Sequence, residues 1–170
     1  MNYLDTTHDV YKKAALTPDV GLCCTTNPIW ELPGLKIPKI MQEMNYGCGS
    51  TVHARDLSNN PKMLYVGVGG GMELLQFSYF NRQRGGVVGV DVVDEMLEAS
   101  AANFKIAEAQ NPWFKSEFVT LKKGDALNLP VDDNSIDVAA QNCLFNIFKA
   151  EDLKRAIEEM YRVLTPHGKL

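Results

Sequence analysis

From Lys62 onward, short apolar runs alternate with longer stretches whose apolar residues recur every three or four positions. Met63-Leu64-Tyr65-Val66 runs into glycines, and Val87-Val88-Gly89-Val90 closes on Asp91. Both read as strands buried on two faces, because they show no alternation with polar residues. Met72 to Asn81 carries Leu74, Leu75, Phe77 and Phe80, which predicts a helix with a broad apolar face. Asp94 to Gln110 has Met96, Leu97, Ala101, Phe104 and Ala107 at helical spacing. Glu117 to Leu121 and Ile136 to Ala140 read as a third and a fourth strand. Glu151 to Leu164 reads as a helix with Leu153, Ile157, Met160, Tyr161 and Leu164 on one side, ended by Pro166 and Gly168. Lys169-Leu170 looks like the first step of a fifth strand. Strands alternating with helices imply parallel βαβ units and a three-layer α/β sheet.

The first 60 residues have another texture. Asp5 to Leu16 predicts a short helix with Val10, Ala14 and Leu16 inward. Thr17 to Gly34 is loop-like, and Pro38 suits the first turn of a helix reaching about Tyr46. Gly47-Cys48-Gly49 breaks that helix. The sheet pattern stops as its fifth strand begins, so a partial domain with little or no turnover is expected.

Composition narrows the function. At 170 residues the chain can bury one full core. A net charge of −4, with basic runs no longer than pairs such as Lys12-Lys13 and Lys122-Lys123, argues against a nucleic-acid partner. No stretch approaches the roughly 20 apolar residues of a membrane span, and Met1 to Asp9 holds no apolar signal core. The expected compartment is the cytoplasm, where four cysteines are free, metal-binding or catalytic rather than disulfide-bonded.

Val66-Gly67-Val68-Gly69-Gly70-Gly71 lies between a strand and a helix. Glycines there allow a tight turn and close approach of a ligand to the backbone, and the helix behind presents free N–H groups. Asp91 ends the next strand, where a carboxylate can accept both ribose hydroxyls. NAD and S-adenosylmethionine sites share these two features. Gly124-Asp125-Ala126-Leu127-Asn128-Leu129-Pro130 then follows the third strand, Asp132-Asp133-Asn134-Ser135-Ile136-Asp137 leads into the fourth, and Glu159-Met160-Tyr161-Arg162-Val163-Leu164-Thr165-Pro166-His167-Gly168 precedes the fifth. In order and spacing these segments, from Lys62 to Leu170, resemble the class I methyltransferases. The resemblance implies a Rossmann-like parallel sheet with helices on both faces, its C-terminal strands lying outside this chain. It implies S-adenosylmethionine as cofactor, bound by Gly67, Gly69, Gly71, Asp91, Asp125, Ala126 and Asn142, with Asp125 at the adenine amino group. The family often carries an acidic residue two places before the first glycine; Tyr65 stands at that place here.

The cysteines are Cys23, Cys24, Cys48 and Cys143. No CxxC occurs, which argues against a structural zinc ribbon. Leu22-Cys23-Cys24, Asn45-Tyr46-Gly47-Cys48-Gly49-Ser50 and Gln141-Asn142-Cys143-Leu144-Phe145-Asn146 look like the three cysteine motifs of arsenite S-adenosylmethionine methyltransferases. Gly21 to Val52 is most similar to the branch linked with arsenosugar synthesis. This resemblance implies methylation of trivalent arsenic, with Cys48 and Cys143 as arsenic ligands and Cys24 as an accessory thiol. Arsenite and a glutathione-like thiol are the implied small-molecule partners. Residues 1–60 would then form a cap and substrate-binding segment, and 61–170 the S-adenosylmethionine-binding domain. No general base is assigned to His8, His53 or His167, which read as surface residues or caps. Competing readings are a class I methyltransferase of a small organic acceptor such as a quinone, a non-catalytic metalloid-binding fragment, and an NAD-dependent oxidoreductase.

Overall fold

The structure, a computed structural model, describes residues 2–19, 21–22, 32–47, 52–57 and 59–170. Among the described residues, α-helices α1 (Tyr3–Leu16) and α2 (Lys39–Glu43) precede the sheet. The remainder runs β1 (Met63–Val66), α3 (Met72–Ser78), β2 (Val87–Asp91), α4 (Asp94–Gln110), β3 (Val119–Lys123), β4 (Ile136–Gln141), α5 (Ala150–Val163) and β5 (Leu164–Lys169). All strand pairs are parallel, in the order β3-β2-β1-β4-β5. The order reverses at β1, and such a switch point opens a crevice at the carboxyl ends of the strands.

Strand alternation divides the core in two. Met63 and Tyr65 of β1 pack with Val87, Val138 and Ala140 against α3 and α4, through Leu74, Phe77, Met96 and Phe104. Leu64 and Val66 face the opposite way, with Val88 and Val90, toward Ala156, Met160 and Val163 of α5. Helices therefore cover both faces. The first layer also takes in Ala14, Met41, Met44, Tyr46 and Leu57, so described parts of the N-terminal segment share its core. Among the described residues no helix is long and apolar enough to cross a membrane.

Several boundaries differ from the sequence reading. The third strand starts at Val119, because Ser116–Phe118 turns as a 3₁₀ helix first. The fifth strand starts at Leu164 and includes Pro166 and Gly168. Proline is tolerated there because only Ile136↔Leu164 and Val138↔Lys169 are paired across an irregular register. The buried stripe of α5 is Ala156, Met160 and Val163, while Tyr161 is 76% exposed. On α1 only Ala14 is buried; Leu16 is 72% exposed and Val10 is also outward.

Arg162 ties the β3–β4 connection to α5. Its guanidinium donates to both Glu159 carboxylate oxygens at 2.8 and 2.7 Å and to the carbonyls of Leu129 and Val131 at 3.0 Å, and it pairs with Asp133. Glu159 also accepts the Leu129 N–H at 2.7 Å. Arg162→Met is expected to cost about 2 kcal/mol, since it strands these acceptors in a partly buried setting. Arg162 holds the Glu159 carboxyl below its ordinary value. That stabilisation is present above the usual carboxylate range and is lost as pH falls through it. Urea unfolding at neutral and acidic pH should therefore show that the cost of Arg162→Met shrinks in acid.

Candidate functional site

The carboxyl ends of β1, β2, β3 and β4 open into a cavity of about 650 Å³. Its floor begins at the turn after β1. Gly67, Gly69 and Gly71 have φ of +84°, +51° and +85°, a region that side-chain-bearing residues rarely adopt. A Cβ on Gly67 would meet no atom within 4 Å, so this glycine faces open space. Gly71 stands outside the cavity lining; a Cβ there would come within 2.8 Å of the Phe104 ring, so its smallness serves packing of the loop on α4.

Polar groups of α4 hold the loop from behind. Ser100 Oγ donates to the Gly69 carbonyl at 2.9 Å, and Asn103 Nδ2 donates to the Gly70 carbonyl at 3.0 Å. The sequence reading passed over both. Their signal was available: buried polar residues three apart on the inward face of an apolar helix. From the other side, the Gly70 N–H donates to the Met44 carbonyl at 3.3 Å.

Asp91 joins two turns. Its Oδ2 accepts the Val68 N–H and its Oδ1 accepts the Val93 N–H, both at 2.9 Å. Burial nevertheless raises its carboxyl, and these backbone donors together with nearby His8 oppose the rise. Asp125 lies across the cavity after β3; its Oδ1 accepts the Leu127 N–H at 2.9 Å and the residue stays exposed. Gly124 is required before it, since a Cβ would come within 2.4 Å of Pro130.

At the β4 end, Asn142 and Cys143 enter the lining. Cys143 has φ +55°, an uncommon backbone state for a non-glycine residue and one that concentrates at functional positions. Gly47 packs on Asn142 so tightly that a Cβ would lie 2.3 Å from its amide nitrogen. The segment before β1 is thereby brought to the residue that precedes Cys143.

The structure thus gathers Gly67, Gly69, Asp91, Asp125, Ala126, Asn142 and Cys143 around one cavity. Cys23, Cys24 and Cys48 lie outside the described residues. Among the described residues no group of three His, Cys, Asp or Glu side chains could hold a metal ion. The sequence reading missed the roof. Leu4, Thr7, His8 and Tyr11 of α1 line the cavity, and His8, its side chain 39% exposed, belongs to that wall as well as to the surface. The helix is anchored at both ends: Lys12 pairs with Glu95 of α4 at 2.6 Å, and the Tyr3 hydroxyl donates to Asp152 of α5.

A parallel sheet with a switch point, a glycine turn and an acid at the end of the next strand define the Rossmann-like class of α/β proteins that bind ligands at this edge. The chain belongs to the methyltransferase-domain family, whose model matches residues 64–170. Arsenite methyltransferases are among its relatives. That of Halobacterium salinarum is 28% identical over 128 residues, covering 75% of this chain and 30% of that protein. The crystal structure of an arsenic(III) S-adenosylmethionine methyltransferase from Chlamydomonas reinhardtii superposes with a TM-score of 0.70 at 25% identity, over 80% of this chain and 45% of that one. The demethylmenaquinone methyltransferase of Staphylococcus epidermidis is 38% identical over 85 residues, 50% of this chain and 31% of that protein. The chain spans about a third of the length of these curated relatives.

Proposed function

We propose that this chain carries the donor-binding part, and some of the acceptor thiols, of an S-adenosylmethionine-dependent methyltransferase acting on trivalent arsenic. The observation that carries the reading is the shared cavity: the glycine turn, Asp91 and Asp125 on one side and Cys143 on the other. The residues fit the donor. Open space over Gly67 admits a ligand backbone-close, Asp91 can accept ribose hydroxyls while keeping its loop contacts, and the exposed carboxylate of Asp125, on the same cavity, is the proposed partner of the adenine amino group. When bound, S-adenosylmethionine supplies a sulfonium methyl to the arsenic lone pair and leaves as S-adenosylhomocysteine.

The protein's own task is alignment and exclusion of water. Thiolates suit arsenic because soft ligands select soft acceptors. Cys143 provides one sulfur at the cavity wall. Cys48 directly follows Asn45-Tyr46-Gly47 of the cavity lining, and the packing of Gly47 on Asn142 supports its assignment as a second ligand. Cys24 is proposed as the accessory thiol that delivers the metalloid from a small thiol. No proton has to be removed from a neutral trivalent arsenic centre before transfer, so no general base is required.

A second reading, methylation of a quinone-type acceptor, is favoured by the demethylmenaquinone methyltransferase match and by the apolar lining at Leu144, Ile147 and Phe148. Labelled donor offered with arsenite and glutathione, or with a demethylmenaquinone analogue, separates the two. Methylated arsenicals, even slowly formed, are the expected product. Label in the quinone and none in arsenic would overturn the proposal.

A further inference from the structure

The two halves of α1 are attached by different means. The C-terminal half is packed: Ala14 is buried, and Tyr11 and Ala15 lean on the same core cluster. The Tyr46 hydroxyl donates to the Ala14 carbonyl at 3.1 Å, its ring meets Tyr11 edge-on at 6.1 Å, and Lys12 pairs with Glu95 of α4. The N-terminal half lacks such packing. Among the described residues, neither core cluster includes any of Tyr3 to Val10. Leu4, Thr7 and His8 line the cavity instead. Tyr3 fastens this half at the far rim. Its hydroxyl donates to Asp152 and accepts the Lys149 N–H at 3.4 Å, and the Lys149 ammonium lies 4.9 Å from the ring centre.

These attachments differ in how easily they give way. Apolar area at Ala14 stays out of water only while the helix is docked, so this end resists opening. Hydrogen bonds and a cation–π contact at a half-exposed rim compete with water and contribute little each. Releasing them frees the stretch from Tyr3 to Lys12, about 14 Å of helix. At 14 residues α1 is near the length at which an isolated helix is marginal in water, so a released half frays as it lifts. Asp152 stands in the first turn of α5, at the end of the connection that begins with Asn142 and Cys143. Methyl transfer needs the cavity closed to water, and exchange of ligands needs it open. One firm and one weak attachment meet both needs.

We infer that α1 is a hinged roof: it pivots where Ala14 meets Tyr46, is fastened by Tyr3 to the start of α5, and lets ligands exchange when that fastening releases. The identity of the ligand rests on the proposed donor reading; the hinge does not. Tyr3 and Asp152 are positioning residues, since they act through the helix.

The test is hydrogen exchange, followed by mass spectrometry on the unaltered 170-residue chain. Amides of residues 7–11 should exchange at least about tenfold faster than those of residues 103–107 in α4, where Asn103, Phe104 and Ala107 are buried. Tyr3→Phe keeps the ring and removes the hydroxyl. It should speed residues 7–11 about fivefold and leave residues 103–107 unchanged. Asp152→Asn should speed the same stretch of α1 although it lies 149 positions from Tyr3, and combining the two substitutions should add little, as for one shared contact. S-adenosylhomocysteine should slow residues 7–11 about tenfold, its presence being read separately as protection at residues 67–71. Residues 7–11 that exchange as slowly as 103–107, or that ignore Asp152→Asn, would make α1 a fixed wall and overturn the inference. So would protection at residues 67–71 without any at 7–11. No protection anywhere would remove the donor reading, while the rates of the free chain would still decide the hinge.

Discussion

Asp91→Ala should lower the affinity for S-adenosylhomocysteine by about a hundredfold. The carboxylate accepts the Val68 N–H with one oxygen and the Val93 N–H with the other, so it clamps the glycine turn to the start of α4. Hydrogen bonds to an ionised acceptor contribute about 1.5–3 kcal/mol each. Losing both leaves the loop unsupported, and the proposed contacts to ribose hydroxyls would go with them. About 3 kcal/mol of this reaching the bound state corresponds to roughly a hundredfold in dissociation constant. Asp91→Asn keeps the shape and one acceptor, and should lie between. Calorimetry at neutral pH decides: an alanine variant with unchanged affinity would remove Asp91 from the ligand site and leave it as a turn clamp only. The same variant should also melt earlier, which distinguishes loss of the clamp from loss of the ligand contact when Asp91→Asn is compared.

The second large effect is expected at Cys143. Cys143→Ser should weaken arsenite binding by at least about a hundredfold, because a hydroxyl is a poor ligand for a soft centre. The change is nearly isosteric, and the backbone at φ +55° is unaltered, so the affinity for S-adenosylhomocysteine should stay within about twofold. Arsenite titration followed by native mass spectrometry, with the methyl-donor product bound, reads both quantities. Retained arsenite affinity would move the metalloid to the Cys23-Cys24 pair and strengthen the quinone reading of the cavity.

The legible parts of this molecule were those encoded by neighbours in sequence. The glycine turn, Asp91 and the Gly124-Asp125 turn each follow a strand, and their spacing along alternating elements was enough to place them on one edge. β1 and β2 were equally plain, because strands covered on both sides are apolar throughout. What periodicity could not show was contact across distance. α1 reads as an ordinary amphipathic helix, and nothing within Tyr3–Leu16 says that His8 and Tyr11 roof a cavity whose floor begins more than fifty residues later. Glu73 stands in the first turn of α3, an ordinary place for an acid, and its burial is set by the fold around it rather than by its neighbours in the chain. The shift of β5 to Leu164 has another origin. Helix-ending residues at Pro166 and Gly168 also suit a strand at an irregular register, so local signals favoured the wrong element.

The bond between Tyr3 and Asp152 joins residues 149 positions apart. Synthesis from the N-terminus therefore makes the roof helix well before its far anchor. A ribosome-bound chain halted after β3 would already own the glycine turn, Asp91 and the Lys12–Glu95 latch, yet would lack β4 and every residue of α5. Such long-range closure is slow relative to local helix formation. The chamber would therefore close only once α5 has been made, so a nascent chain would be open to solvent on the side where Cys143 will stand until about residue 152 has left the exit tunnel.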